Sequence, residues 1–275
     1  MAFQNDIKTS FKTATIAEKI IYANVLIFIV TLFAKSFMYE WFALPSVFNN
    51  VISKPWSVIT YGFLHGNFPH IMFNMIFLYF LGNLFLDFFS KKQFISFYIY
   101  GILAGGIAFL LINPSGFLVG ASAGLMAIIV GLATKVPQYE VRLALIGGIK
   151  LWALAAIYVL VSIANLEGEN FGGNIAHLGG ALIGFLYTKQ LQQGRDIGKW
   201  IEVIINSFAN LFKPSSSKNK RMKTVYKNPS IKRKPTHKES KLKQQRIDAI
   251  LDKISKSGYE SLSKEEKDFL FQSGK

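Results

Sequence analysis

Cysteine is absent from the 275 residues, which excludes disulfides and thiolate metal sites and leaves the redox compartment open. Charge is also scarce: Asp, Glu, Lys and Arg make up 17% of the chain, against about 25% in soluble domains. In their place stand 51% hydrophobic residues and a mean hydropathy of +0.31. A soluble enzyme and a chain disordered throughout are both excluded by that balance. Acidic residues are few throughout and basic ones are unevenly spread. Residues 1–190 hold 11 Lys/Arg and 7 Asp/Glu, whereas residues 191–275 hold 20 and 9. The chain is an apolar body with a basic tail. A cleaved leader is not expected, because the first 18 residues are polar and the apolar run from Ile20 is too long for one.

About 20 apolar residues cross a bilayer core, and six segments qualify: residues 20–37, 71–89, 94–112, 121–136, 143–164 and 173–187. The fourth and sixth are short and rich in small residues, as suits helices buried among others. The expected fold is an all-α membrane protein, a six-helix transmembrane bundle followed by a small cytoplasmic helical hairpin, with no strand in the apolar body. Lys8, Lys12, Lys19, Lys91, Lys92, Lys135, Arg142 and Lys189 fall on one side of the membrane, which predicts that both termini are cytoplasmic. Spans two, four and six then run inward from the outer surface.

The chain divides into a cytoplasmic segment 1–19, a six-span body 20–190, a juxtamembrane amphipathic helix 191–212, a basic disordered linker 213–240 and a hairpin 241–275. The amphipathic helix rests on Ile197, Trp200, Ile201, Ile204, Ile205, Phe208, Leu211 and Phe212 at helical spacing. The linker reads as a solvated positive-inside tail or as a contact for anionic lipid. In the hairpin, Ile247, Ile250, Leu251 and Ile254 share a face, Gly258 offers a stop, and Ser263 with Glu266 forms a capping box. No folded nucleic-acid recognition motif accompanies the basic charge.

Polar groups inside spans are costly and mark function. His65, His70 and Asn74 open span two, Ser122 opens span four, and His177 opens span six, all at the outer ends of inward-running helices. A serine needs a base to become a nucleophile, and histidine is the usual one, so Ser122 and His177 are the candidate pair. Small residues on the two helices let them approach: Gly120, Gly124, Ala127 and Gly131 on span four, Ala176, Gly180 and Gly184 on span six. His70 and Asn74 lie four apart and share a face, so with the Ser122 amide they offer donors to an oxyanion. Each feature also has a plainer reading. Gly120-x-Ser122-x-Gly124 serves as packing as well, His177 serves as an interhelical hydrogen-bond partner, and Glu167 or Glu169 could complete a triad in place of a dyad. A metal site is not expected: HExxH is missing and no carboxylate has suitable spacing beside His65 and His70.

Pro55-Trp56, the run Thr60-Tyr-Gly-Phe-Leu-His65, the spacing of His65, His70 and Asn74, Gly-Ala-Ser122-Ala-Gly and Ala176-His177-Leu-Gly-Gly together resemble the rhomboid family of intramembrane serine proteases, over residues 50–190. The resemblance implies that Ser122 is the nucleophile, that His177 is the base, and that His70 and Asn74 form the oxyanion hole. His65, Gly120 and Met126 then belong to the rim or structural surround. It implies hydrolysis of peptide bonds in or beside the transmembrane helices of membrane-protein substrates, without a cofactor, in a bacterial inner membrane. The sequence departs from the family at three points. Met126 stands where an aromatic residue often stacks on the base, Asp87 is displaced by one position after Gly82, and the Trp-Arg pair of the first outer loop is missing, leaving Trp41, Phe42 and Trp56 to anchor that loop. Two rival readings fit parts of the sequence. A non-catalytic rhomboid-like client-binding protein would be favoured by loss of the serine or histidine. A small transporter predicts polar groups at mid-membrane depth.

Overall fold

A computed structural model describes residues 11–112, 115–143, 147–201, 203–204, 207 and 237–273. It divides into two compact units, residues 1–213 and 214–275. In the first, α1 (Ile16–Phe33) leads to α2 (Lys35–Phe42), the two-residue β1 (Leu44–Pro45), α3 (Phe48–Ser53), α4 (Ser57–Thr60) and a 3-10 turn at Tyr61–Phe63. There follow α5 (Phe68–Phe88), α6 (Lys91–Ile112), β2 (Phe117–Leu118), α7 (Ser122–Lys135), β3 (Glu140–Leu143), β4 (Gly147–Lys150), α8 (Leu151–Ala164) and α9 (Phe171–Gln192).

Local chemistry decides where the helices begin. Thr15 and Glu18 cap α1 reciprocally (Thr15 N–H to Glu18 Oε2 2.7 Å, Glu18 N–H to Thr15 Oγ1 3.2 Å), so the helix starts at Ile16 and not at Ile20 as expected. It breaks at Ala34, and Lys35–Phe42 forms a separate short helix. Ser90 and Gln93 make the same reciprocal pair ahead of α6. Asn67 caps α5 by accepting from the His70 N–H at 2.9 Å, with Pro69 in the first turn, where its missing donor costs nothing.

Among the described residues three helices are long and apolar enough to cross a membrane by length and composition: α1, α5 and α6. Helices α7 and α8 are apolar but have 14 residues each, about 21 Å of helix. Helix α9 has 22. The shortness of α7 follows from its position. It touches α5, α6, α8 and α9 and is buried on nearly every face, the pattern of a central helix without a lipid-facing side. The outer surface is apolar instead, with Leu26, Leu32, Phe33, Phe80, Leu111, Leu160 and Leu182 all exposed.

Two expectations need correction. The apolar body does contain strand pairs: β1 pairs antiparallel with β2 (Leu44 opposite Leu118), and β3 with β4 (Glu140 opposite Lys150). The second pair takes the first residues assigned to span five, so α8 begins at Leu151 and not at Leu143. Gly147, at φ +85°, and Gly148 favour a reversal over helix there. Between α1 and α5, Trp41 stacks on Trp56 (centroids 6.3 Å, planes 7° apart). The Trp56 indole N–H donates to the Trp41 carbonyl at 2.8 Å, and Lys54 lies 4.8 Å over the Trp41 ring.

After α9, Tyr187 donates to Asp196 Oδ1 at 2.6 Å and Tyr100 donates to the Ile197 carbonyl, which holds residues 196–198 against α6 and α9. Helix resumes at 199–201, 203–204 and 207, with Ile201 buried and Trp200 and Ile204 exposed. Ile205, Phe208, Leu211, Phe212 and the linker up to 236 lie outside the described residues.

The second unit is α10 (His237–Ser257), a turn at Gly258 with φ +77°, a 3-10 turn at Tyr259–Ser261, and α11 (Lys264–Ser273). Ser263 and Glu266 cap α11 reciprocally (Ser263 N–H to Glu266 Oε2 2.8 Å, Glu266 N–H to Ser263 Oγ 3.3 Å). Ile250 and Leu262 are its buried apolar residues. Leu251, assigned to the apolar face, is 49% exposed, because it sits one residue round from Ile250 and turns out of the small core.

Candidate active site

The site is built around the start of α7. Tyr61 donates to the Ile102 carbonyl at 2.6 Å, and its own carbonyl accepts from the Gly120 N–H at 3.0 Å. The chain entering α7 is thereby tied to α6. Gly120 adopts φ +134°, where side chains are strained, and a Cβ there would stand 2.8 Å from His70 Nε2. Both facts require glycine. Two residues later Ser122 is the first residue of α7, and its backbone N–H has no carbonyl partner within the helix.

Helix α9 approaches α7 backbone to backbone. A Cβ on Gly180 would collide with the Ala123 carbonyl, and one on Gly184 with that of Ala127. The expected small-residue contact forms, but its partners are redistributed. Gly124 faces Tyr98 of α6, and Gly131 faces Phe97 of α6 as well as Thr188 of α9. Small residues therefore let α7 pack on two helices at once.

This approach brings His177 Nε2 to 2.7 Å from Ser122 Oγ, across 55 residues of chain. A hydroxyl at that distance from a bare imidazole nitrogen can transfer its proton to it. On the other side of the ring, Nδ1 lies 3.2 Å from Ser162 Oγ of α8. Glu167 and Glu169 are exposed in the loop between α8 and α9.

His70 accepts at Nδ1 from the Gly66 N–H (3.4 Å), so its Nε2 carries the hydrogen, beside Gly120 and the start of α7. Asn74 is buried and spends one amide hydrogen on the His70 carbonyl at 2.9 Å, leaving the second for another acceptor. His70, Asn74, Ser122, Met126 and His177 line one cavity of about 550 Å³, walled by Phe73 and Phe77 of α5, Leu125 and Ile129 of α7 and Tyr158 of α8. The Phe77 and Tyr158 rings meet edge to face at 5.1 Å.

His65 is outside this lining. It is fully buried with its ring 5.0 Å from that of His70, and it borders a second cavity beside Thr31, Lys35 and Tyr39. Among the described residues no group of three His, Asp or Glu side chains could hold a metal. Ser162 was missed in the sequence. Its signal is a hydroxyl near the C-terminal end of the expected fifth span, a place where the sequence carries no histidine beside it.

Comparison with known proteins gives this arrangement a context. A family model described as Rhomboid domain matches residues 53–193, and one described as a family of unknown function (DUF6576) matches 236–272. The chain is 27% identical to Rhomboid-like protease 3 of Toxoplasma gondii over 157 residues, 54% of this chain and 57% of that protein. It is 30% identical to Presenilin-associated rhomboid-like protein A, mitochondrial, of Danio rerio over 132 residues, 46% of this chain and 34% of that protein. The chain thus spans less than two thirds of the length of these curated relatives.

Proposed function

This chain belongs to the rhomboid family, and we propose that it is an intramembrane serine endopeptidase whose nucleophile is Ser122 and whose base is His177. The observation that carries the reading is the 2.7 Å contact between Ser122 Oγ and His177 Nε2. In the first step Oγ attacks the scissile carbonyl carbon while Nε2 takes its proton. The negative charge that develops on the substrate oxygen is met by the Ser122 N–H, the His70 Nε2–H and the remaining Asn74 amide hydrogen. His177 then returns the proton to the leaving amine, which departs as the acyl-enzyme forms. Water, deprotonated by the same nitrogen, attacks the acyl carbon and frees Ser122.

Six crossings, by α1, α5, α6, α7, α8 and α9, would put this cavity toward the outer surface, with both termini cytoplasmic in a bacterial inner membrane. Water must reach the site, and a cavity near the surface supplies it. Substrates are single-span or other membrane proteins. Their scissile segment must leave the helix, because a helical peptide carbonyl is already hydrogen-bonded, so Gly, Pro or polar residues near the cut favour cleavage. The basic tail is a solvated positive-inside segment, with contact to anionic lipid headgroups as its alternative role.

A fluorophosphonate probe tests the reading on detergent-solubilised protein. Labelling of the wild type, lost in both Ser122→Ala and His177→Ala, is the expected result, and Ser122→Ala should abolish cleavage while the protein stays folded. A Ser122→Ala variant that still cuts at the wild-type rate would refute it.

A further inference from the structure

A hydroxyl has one hydrogen to give, and Ser162 has two neighbours for it. Its Oγ lies 3.0 Å from the carbonyl of Tyr158, one turn back on α8, and 3.2 Å from His177 Nδ1. A carbonyl oxygen only accepts, so the hydrogen belongs there, in the back-bonded arrangement that serine adopts inside helices. Ser162 Oγ then meets Nδ1 as an acceptor, which requires the hydrogen of the neutral imidazole to sit on Nδ1. A neutral imidazole carries one N–H, so Nε2 is bare where it faces Ser122 Oγ. One assignment satisfies all four groups: Ser122 O–H to Nε2, Nδ1–H to Ser162, Ser162 O–H to Tyr158. The reverse would forgo the bond from Ser162 Oγ to the Tyr158 carbonyl, which the helix's own N–H also serves, and would place an N–H against the hydroxyl that His177 must deprotonate. Ser162 is 3% exposed, so bulk water has little access to take over its part.

We propose that Ser162 is a positioning residue for His177, holding the ring in the one tautomer that can act as base. The inference rests on the reading of Ser122 and His177 given above. As His177 takes up the serine proton, the Nδ1–H bond to Ser162 becomes charge-assisted and strengthens. Such a hydroxyl fills the place that a carboxylate occupies in a three-membered site, without adding a charge to the bundle.

The test is made on the full chain with ¹⁵N-labelled histidine, where His177→Ala assigns the signal among the four histidines. Wild-type His177 should carry its hydrogen on Nδ1. Ser162→Ala should give a mixture of tautomers and lower kcat about tenfold, the size of one lost hydrogen bond to a group that becomes charged, with KM little changed. Ser162→Thr, which keeps the hydroxyl and its bond one turn back, should restore both. An Nε2–H ring in the wild type, or wild-type kcat and tautomer in Ser162→Ala, would overturn the proposal. A wild type that neither labels nor cuts overturns the protease reading instead, and the tautomer measurement still decides what Ser162 does.

Discussion

In the body, Gly180 and Gly184 of α9 press on the backbone of Ala123 and Ala127, so two helices meet with no side chain between them. In the hairpin, α10, the Tyr259–Ser261 turn and α11 are joined at their surface by long polar groups. Lys253 bonds Glu266 at 2.9 Å, Arg246 lies 4.7 Å over the Phe269 ring, and Lys267 reaches Glu260 at 3.2 Å. The contrast follows from the surroundings. Lipid gives apolar side chains no reason to leave it, so helices in a membrane gain by close approach. Water allows a hairpin to use caps and ion pairs, but each contributes little, and a core of this size buries little. The body holds Ser122 and His177 within a hydrogen bond of each other; the hairpin's contacts can be loosened one at a time.

The largest effect should come from Gly180→Leu. The atoms it would strike are backbone, which cannot turn aside, so α9 must move off α7 and carry His177 away from Ser122. We expect little folded protein, and in what folds a loss of cleavage of about a hundredfold or more, the scale of a misplacement near 1 Å. Wild-type yield, or activity within a few-fold of wild type, would mean that the backbone contact is not what sets the pair.

Gly120→Ala should leave the bundle standing and damage the site alone. The positive φ costs on the order of 1–3 kcal/mol, and the new methyl displaces His70 Nε2. Cleavage should fall about a hundredfold, as when one oxyanion donor is lost, with the melting temperature lowered by only a few degrees.

The smallest effect concerns acid and the hairpin. The Lys253 ammonium, and after it the Ser263 N–H, hold the Glu266 carboxyl below its ordinary value of 4.5. A depressed carboxyl stabilises the folded hairpin above pH 4.5 and loses that contribution as the pH falls through its lower folded value. Amide protection in α11, corrected for intrinsic exchange, should therefore decline below pH 4.5 while α7 and α9 stay protected. Glu266→Gln should remove the pH dependence, and added salt should weaken it. Equal loss of protection in both units would erase the distinction between them.

Much of this was legible in the sequence because it depends on neighbours along the chain. Thr15-x-x-Glu18, Ser90-x-x-Gln93 and Ser263-x-x-Glu266 are the same capping pattern, and all three close reciprocally. The first two lie ahead of the apolar runs, so α1 and α6 begin earlier than hydropathy alone expects. Hydropathy alone could not set the start of α8, because the apolar run begins at Leu143 and only the Gly147-Gly148 pair and Lys150 interrupt it. Leu251 was misplaced for a related reason, because an apolar residue at the edge of a small core can face either way.

The candidate site residues could be named from residue type alone, since a serine, histidines and an asparagine near the starts of apolar segments are costly there. Their distances could not. The 2.7 Å between Ser122 and His177 depends on how far two helices interpenetrate, which is set by the backbone contact at Gly180 and Gly184. The place of Ser162 was equally hidden. Its neighbour His177 lies 15 residues away across a loop, and its single hydrogen is directed by a carbonyl on its own helix. The sequence by itself determined which chemical groups this protein owns and which apolar segments carry them. The tertiary structure alone decided which of them touch and which way their protons point, because those depend on ångström-scale packing between segments far apart in the chain.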